Sequence, residues 1–189
     1  MNREEVSEKA RAAIKQAFKC LDGKNEGPGR WTGKITEKLC AEVEGTKLRA
    51  TAHGVQGDGW GEWLYDVCWL KYDNSDDDDH PPKKSLIDPE LDFLKEAVLI
   101  VESEFGNLGD IRDDFQKLLV GRALVRCMIW DDHQKGEKSE EIAEWLKEMV
   151  KAFSATAPDD FYLLAAYTDK GFRFWHIEGQ YLPELKAVE

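Results

Sequence analysis

Apolar residues recur every three or four positions from Arg3 to Leu21, at Val6, Ala10, Ala13, Ile14, Ala17, Phe18 and Leu21, and this spacing predicts an amphipathic helix. Three glycines and a proline in Asp22 to Arg30 end it, because neither residue continues a helix cheaply. A second helix is predicted over Gly33 to Glu44, where Ile35, Leu39 and Val43 repeat every four residues before the stop signal Gly45. The period then changes to two. Leu48, Ala50 and Ala52 alternate with Lys47, Arg49 and Thr51 and predict a half-buried strand over Thr46 to His53. After the turn glycines of GVQGDGWG, Glu62 to Leu70 is aromatic and β-branched enough for a second strand.

Downstream, a short helical patch is expected around Pro89 to Lys95, followed by a third strand over Ala97 to Phe105. The apolar run of that strand predicts a central position buried on both faces. Asn107 and Asp110 are candidate caps for a helix whose stripe is Ile111, Phe115, Leu118 and Leu119. A fourth strand is predicted over Arg122 to Trp130, and a helix over Ser139 to Phe153 with Ile142, Trp145, Leu146, Met149, Val150 and Phe153 on one stripe. Phe161 to Tyr167 and Phe172 to Ile177 complete the chain as a hairpin through Thr168 to Gly171. The element order is mixed α/β.

The chain has 189 residues, 42% hydrophobic and 34% charged, which fits a single globular domain over residues 1–189 and excludes disorder and collagen. No stretch approaches the roughly 20 apolar residues of a membrane span, and Met1 to Lys19 lacks the apolar block of a signal peptide, so the expected location is the cytoplasm with no membrane partner. Cys20, Cys40, Cys68 and Cys127 are far apart, with no C-x-x-C, and read as reduced core residues. His53, His80, His133 and His176 do not cluster, so zinc has no support.

The formal net charge is -12, the opposite of a protein that binds nucleic acid through its overall field. Resolved along the chain, residues 1–57 carry 11 basic and 8 acidic side chains and the remainder 15 and 30, so a polyanion would be met mainly by the N-terminal third. Asp73 to Ser85 (DNSDDDDHPPKKS) has loop composition and lacks the alternating ligands and glycine of a calcium loop.

Carboxylates in apolar surroundings carry the chemical signal. Asp66 stands among Leu64, Tyr65, Val67, Cys68 and Trp69, which reads as the inside of the second strand, and Glu102 and Glu104 end the third. Burying ionised carboxylates together is costly unless a proton or a cation intervenes. Alternation puts Glu102 and Glu104 on one face, where an adjacent strand can bring Asp66 beside them. Oxygen-only ligands of this kind suit Mg²⁺ or Mn²⁺. Glu42, on the flank of the Ile35, Leu39, Val43 stripe, is either a fourth carboxylate of that group or an edge residue paired with a lysine. A P-loop, G-x-S-x-G, H-E-x-x-H and a strand-to-helix G-x-G-x-x-G are all missing from the sequence. Trp60, Trp63 and Trp69 offer base stacking or, more commonly for strand aromatics, core.

The order helix, strand, strand with Asp66, strand with Glu102-Ser103-Glu104, helix, strand resembles the αβββαβ core of the PD-(D/E)XK, or restriction-endonuclease-like, nucleases. The resemblance covers about residues 33–130, with an extra N-terminal helix and a C-terminal helix plus hairpin, residues 139–178, as elaborations of the central mixed sheet. It implies a metal held by Asp66 and Glu102 and an assisting Glu42. The family's motif lysine is replaced by Glu104. Lys117 of the following helix takes the place of that lysine in the resemblance, although it lies about 120° from Ile111 and off the apolar stripe; Arg122 is the other cation on offer.

The expected function is hydrolysis of DNA or RNA phosphodiester bonds by a Mg²⁺-dependent endonuclease or exonuclease, with Glu42, Asp66, Glu102, Glu104 and Lys117 as the catalytic set. The alternative is an inactive, acidic protein that keeps the fold and occupies a basic protein partner. The excess acid beyond residue 57 and the glutamate at the motif lysine's place favour it.

Overall fold

The structure is a computed structural model that describes residues 1–20, 28–52, 64–72, 93–131, 139–168, 171–179 and 186–188. Among them are four helices, α1 (Arg3–Cys20), α2 (Pro28–Ala41), α3 (Leu108–Val120) and α4 (Ser139–Ala152). Seven strands accompany them: β1 (Arg49–Ala52), β2 (Val67–Tyr72), β3 (Leu94–Glu104), β4 (Val125–Asp131), β5 (Phe161–Thr168), β6 (Gly171–Glu178) and β7 (Lys186–Val188). All seven strands lie in one mixed sheet in sequence order. β1, β2 and β3 form an antiparallel meander, β3, β4 and β5 run parallel, and β5, β6 and β7 are antiparallel again. Parallel neighbours need a crossover, and α3 and α4 supply the two required here.

Helices cover both faces of the sheet. Leu99 and Val101 of β3 pack into a core with Val6, Ile14, Ile35 and Leu39 of α1 and α2. Ile100, pointing the other way, joins Ile111, Phe115, Leu118, Leu146 and Val150 of α3 and α4. The predicted central burial of β3 follows from this arrangement, since each of Val98 to Val101 is buried. The mixed α/β class is therefore as expected.

Several boundaries differ. α2 begins at Pro28 rather than Gly33, because proline is compatible with a first helical turn whose N–H groups have no internal partner. It ends at Ala41, so Glu42 and Val43 lie in the turn that follows, and Gly45 takes the left-handed backbone at φ 71°. β2 starts at Val67, which places Asp66 in the bend before the strand and not inside it. Aspartate is depleted in strands because its short carboxylate competes for nearby N–H groups. Leu94 and Lys95 open β3 rather than closing a helical patch. Arg122, Ala123 and Leu124 belong to the connection before β4. Trp145, expected on the apolar stripe of α4, is 36% exposed, while Lys147 is buried. Of the cysteines, Cys68 and Cys127 are buried but Cys20 is exposed. β7, three residues at the sheet edge, has no counterpart in the predicted elements. The acidic run Asp73 to Ser85, the glycines of 54–61, Trp60, Trp63, His53, His80 and His133 lie outside the described residues.

Candidate functional site

The C-terminal end of β3 gathers the predicted carboxylates. Strand alternation turns Glu102 and Glu104 toward the α3 face, the face of Ile100. Val67 pairs with Val101, so Asp66, one residue earlier, stands across from Glu102, one residue later. Asp66 Oδ2 accepts two hydrogen bonds from Ser103, from the backbone N and from Oγ, each at 2.8 Å.

Glu102 is only 2% exposed. Lys117 Nζ lies 3.3 Å from its Oε1, an ion-pair contact. The same ammonium reaches Asp114 Oδ1 at 2.8 Å, one helical turn back on α3. Burial, and then the Asp66 charge, push the Glu102 carboxyl up to about 8 against the opposing pull of Lys117. Lys117 is held above the ordinary lysine value, first by its hydrogen bond to Asp114 and then by the Glu102 charge, so it stays protonated at neutral pH.

α3 is anchored where it must present these two side chains. Asn107 caps it, Oδ1 accepting from Gly109 N at 2.8 Å and Asp110 N at 3.3 Å, and Asp110 returns a bond to the Asn107 backbone in a capping box. Glu104 curls back so that Oε1 accepts the Gly106 N–H. Gly106 permits this approach, since a Cβ there would lie 2.6 Å from that oxygen. Burial raises the Glu104 carboxyl above its usual range, partly offset by the Gly106 bond. Tyr65, before Asp66, packs over the C-terminal turn of α3 with Oη 3.5 Å from the Lys117 carbonyl.

Thus Asp66, Glu102, Glu104 and Lys117 lie along one edge of β3 and the facing side of α3. Glu42 is engaged elsewhere: its carboxylate pairs with Lys9 Nζ at 3.5 Å where α1 meets α2, as the edge-residue alternative anticipated. Arg122 is exposed beyond the end of α3 and is not part of the group. Ser103 and Asp114 were not singled out by sequence. Asp114 carried one readable signal, its spacing of three from Lys117 on a helix. Ser103 carried none, because a spacer between two motif positions has no required chemistry.

The buried Glu102 oxygen stands against the Lys117 ammonium and beside the Asp66 charge, so the cluster holds a cation of its own. Among the described residues no group of three or more His, Cys, Asp or Glu side chains is arranged to hold a metal. The donors on offer are therefore Asp66 and Glu102, with Lys117 as an internal counter-charge.

A cavity of about 810 Å³ opens beyond the C-terminal end of α3, lined by Leu64, Tyr65, Arg122 and Arg126 among others, and Asp66, Glu102 and Glu104 do not line it. Its buried guanidinium is already committed. Arg126 donates to the Gly121 carbonyl at 2.8 Å and pairs with Asp160 at 2.9 Å, tying the α3–β4 and α4–β5 connections together. The carboxylate cluster has the better-defined chemistry although it is not a deep pocket. α1 and α2, from the more basic N-terminal third, pack on the opposite face of the sheet. No described helix is long and apolar enough to cross a membrane. No family model matches the chain, and no curated protein matches it.

Proposed function

We propose that the chain is a nuclease-like phosphodiesterase of PD-(D/E)XK type that hydrolyses DNA or RNA with Mg²⁺ or Mn²⁺ held by Asp66 and Glu102. The observation that carries this reading is the buried Glu102, which stands beside Asp66 and against the Lys117 ammonium. The order α2, β1, β2, β3, α3, β4 supports the resemblance to an αβββαβ core.

A bound divalent cation supplies Lewis-acid polarisation of the phosphate and a more acidic water. Asp66 and Glu102 would hold it. Lys117, kept charged by Asp114, presents positive charge to the phosphate oxygens as negative charge builds there. Glu104 takes the proton of the attacking water through Oε2, the oxygen that Gly106 does not engage.

Calorimetric titration with Mg²⁺ and Mn²⁺, together with nicking of supercoiled plasmid and of single strands, tests the proposal. The parent chain binds the cation, and Asp66→Ala and Glu102→Ala each weaken binding and lower cleavage by about 100-fold or more. A parent chain without affinity for either ion overturns it.

The second reading is a protein that has kept the fold and lost the chemistry, with its acidic surface serving a basic protein partner. The contact between Lys117 and Glu102 favours it, since the cluster already holds a counter-charge of its own, as does the acid excess beyond residue 57. It predicts salt-sensitive binding to a basic nuclease that neither chelator nor Glu102→Ala disturbs.

A further inference from the structure

We infer that the notch at the N-terminal end of the β3 and β4 pair is a docking site for an extended segment of a partner protein, one that alternates apolar side chains with carboxylates. The inference goes beyond the reading of Asp66 and Glu102 and does not depend on it. The notch follows from a difference in strand length. β3 reaches back to Leu94, but its parallel ladder with β4 begins only where Leu99 pairs with Val125. One further bond, from Leu124 N to the Ala97 carbonyl at 3.1 Å, extends the contact. Leu94, Lys95 and Glu96 therefore have β2 on one side, through Tyr72 and Lys71, and no strand among the described residues on the other. That leaves about 10 Å of strand edge at the rise of an extended chain, and such an edge is a template for another strand. It forms one wall of the cavity of about 810 Å³, whose other walls include the α3–β4 connection and residues 153–160 after α4.

The rim of the notch is apolar and uncovered. Val120 is 70% exposed and Leu64 63%, and Leu94 and its neighbour Phe93 are exposed as well. These are four of the six large apolar side chains exposed among the described residues, and a concentration of that kind marks a surface that another molecule covers. Charge gives the sign of the partner. The walls carry Arg3, Lys95, Arg122 and Arg126 against Glu96, Asp159 and Asp160, a small positive excess in a chain of net charge -12. Arg126 and Asp160 neutralise each other, and Arg3 donates to the Asp159 carbonyl at 3.1 Å. Arg122 is exposed and has neither a hydrogen bond nor an ion pair among the described residues. A guanidinium in that state is matched by a carboxylate. Strand edge, apolar rim and uncommitted guanidinium together suit an extended peptide, which takes main-chain hydrogen bonds from the edge and sends alternate side chains to the rim and to Arg122.

Three fluorescein-labelled octapeptides, read by fluorescence anisotropy against the full chain, test this. One alternates Val and Asp, one alternates Val and Lys, and the third is the Val and Asp peptide with alternate backbone nitrogens methylated, so that it keeps its charges but cannot pair with a strand edge. The Val and Asp peptide should bind saturably and slow hydrogen exchange over residues 94–97, with the Lys peptide about fivefold weaker and the methylated one weaker still. Arg122→Glu should reverse the preference between Asp and Lys, and the milder Arg122→Gln should abolish it. Val120→Asp should weaken the Asp peptide about tenfold. Both positions are exposed, and an unchanged urea midpoint shows that the fold is intact. Equal binding of the methylated peptide, equal binding of the Asp and Lys peptides, a preference that Arg122→Glu leaves unchanged, or no saturable binding of any peptide up to about 1 mM overturns the inference. Binding of dodecanoate without binding of peptide does so too, and makes the cavity a site for small anionic amphiphiles. Calorimetry with Mg²⁺ reads Asp66 and Glu102 separately, so either idea can fail while the other stands.

Discussion

Burying Glu102 beside Asp66 raises its affinity for a proton, and the lysine that reaches it offsets this only in part. The consequence for stability has a definite sign. With its carboxyl pushed up to about 8 in the folded chain, against 4.5 for an ordinary glutamate, Glu102 keeps a proton between those values that the unfolded chain has released. The folded state then binds more protons, so metal-free stability falls as pH rises from about 4.5 to about 8. The loss is on the order of 5 kcal/mol, each tenfold in proton affinity being about 1.4 kcal/mol. Glu102→Gln removes the charge and should flatten this part of the profile. Urea unfolding of parent and variant at pH 5 and pH 8, in the presence of a chelator, checks it. A parent midpoint that rises across the interval contradicts the burial of this charge.

At the scale of the element, α3 is the part on which the cluster depends, because it carries both Asp114 and Lys117. Asn107→Ala removes the bonds to Gly109 N and Asp110 N and should cost about 1 kcal/mol, read as a lower urea midpoint at unchanged m. α3, α4 and the β5–β6 hairpin were legible in the sequence because period, cap and turn residues all agree there. Asp66 was legible as a residue but not in its place. The apolar run around it reads as continuous strand, and only the bonds to Ser103 show why the ladder starts one residue later. Glu42 fails for a related reason, since the stripe that put it on a helix flank continues past the end of α2 at Ala41. Lys117 illustrates the opposite error. Its backbone direction is off the stripe and the residue is 52% exposed, yet a long flexible side chain brings its end group to Glu102 from the helix edge. Helical angle locates the start of a lysine side chain, while its charge sits several bonds away.

For the whole molecule, the net charge of -12 sets the terms on which a cation acts. Residues beyond 57 carry a balance of -15, so any divalent salt will relieve some self-repulsion of the fold, with or without a site. A specific site adds a term that a point change can remove. Binding at a hundredfold excess over Kd contributes about 2.7 kcal/mol, which in a chain of this size is a rise of about 5–10 °C in melting temperature. MgCl₂ titrated at constant ionic strength should therefore raise the melting temperature of the parent by this amount. Asp66→Ala and Glu102→Gln should keep only the smaller rise that comes from general screening. If parent and variants rise equally, the stabilisation belongs to the acidic surface as a whole, and Asp66 and Glu102 hold no cation. If they separate, the difference measures the occupancy of the site directly, independent of any nucleic acid substrate.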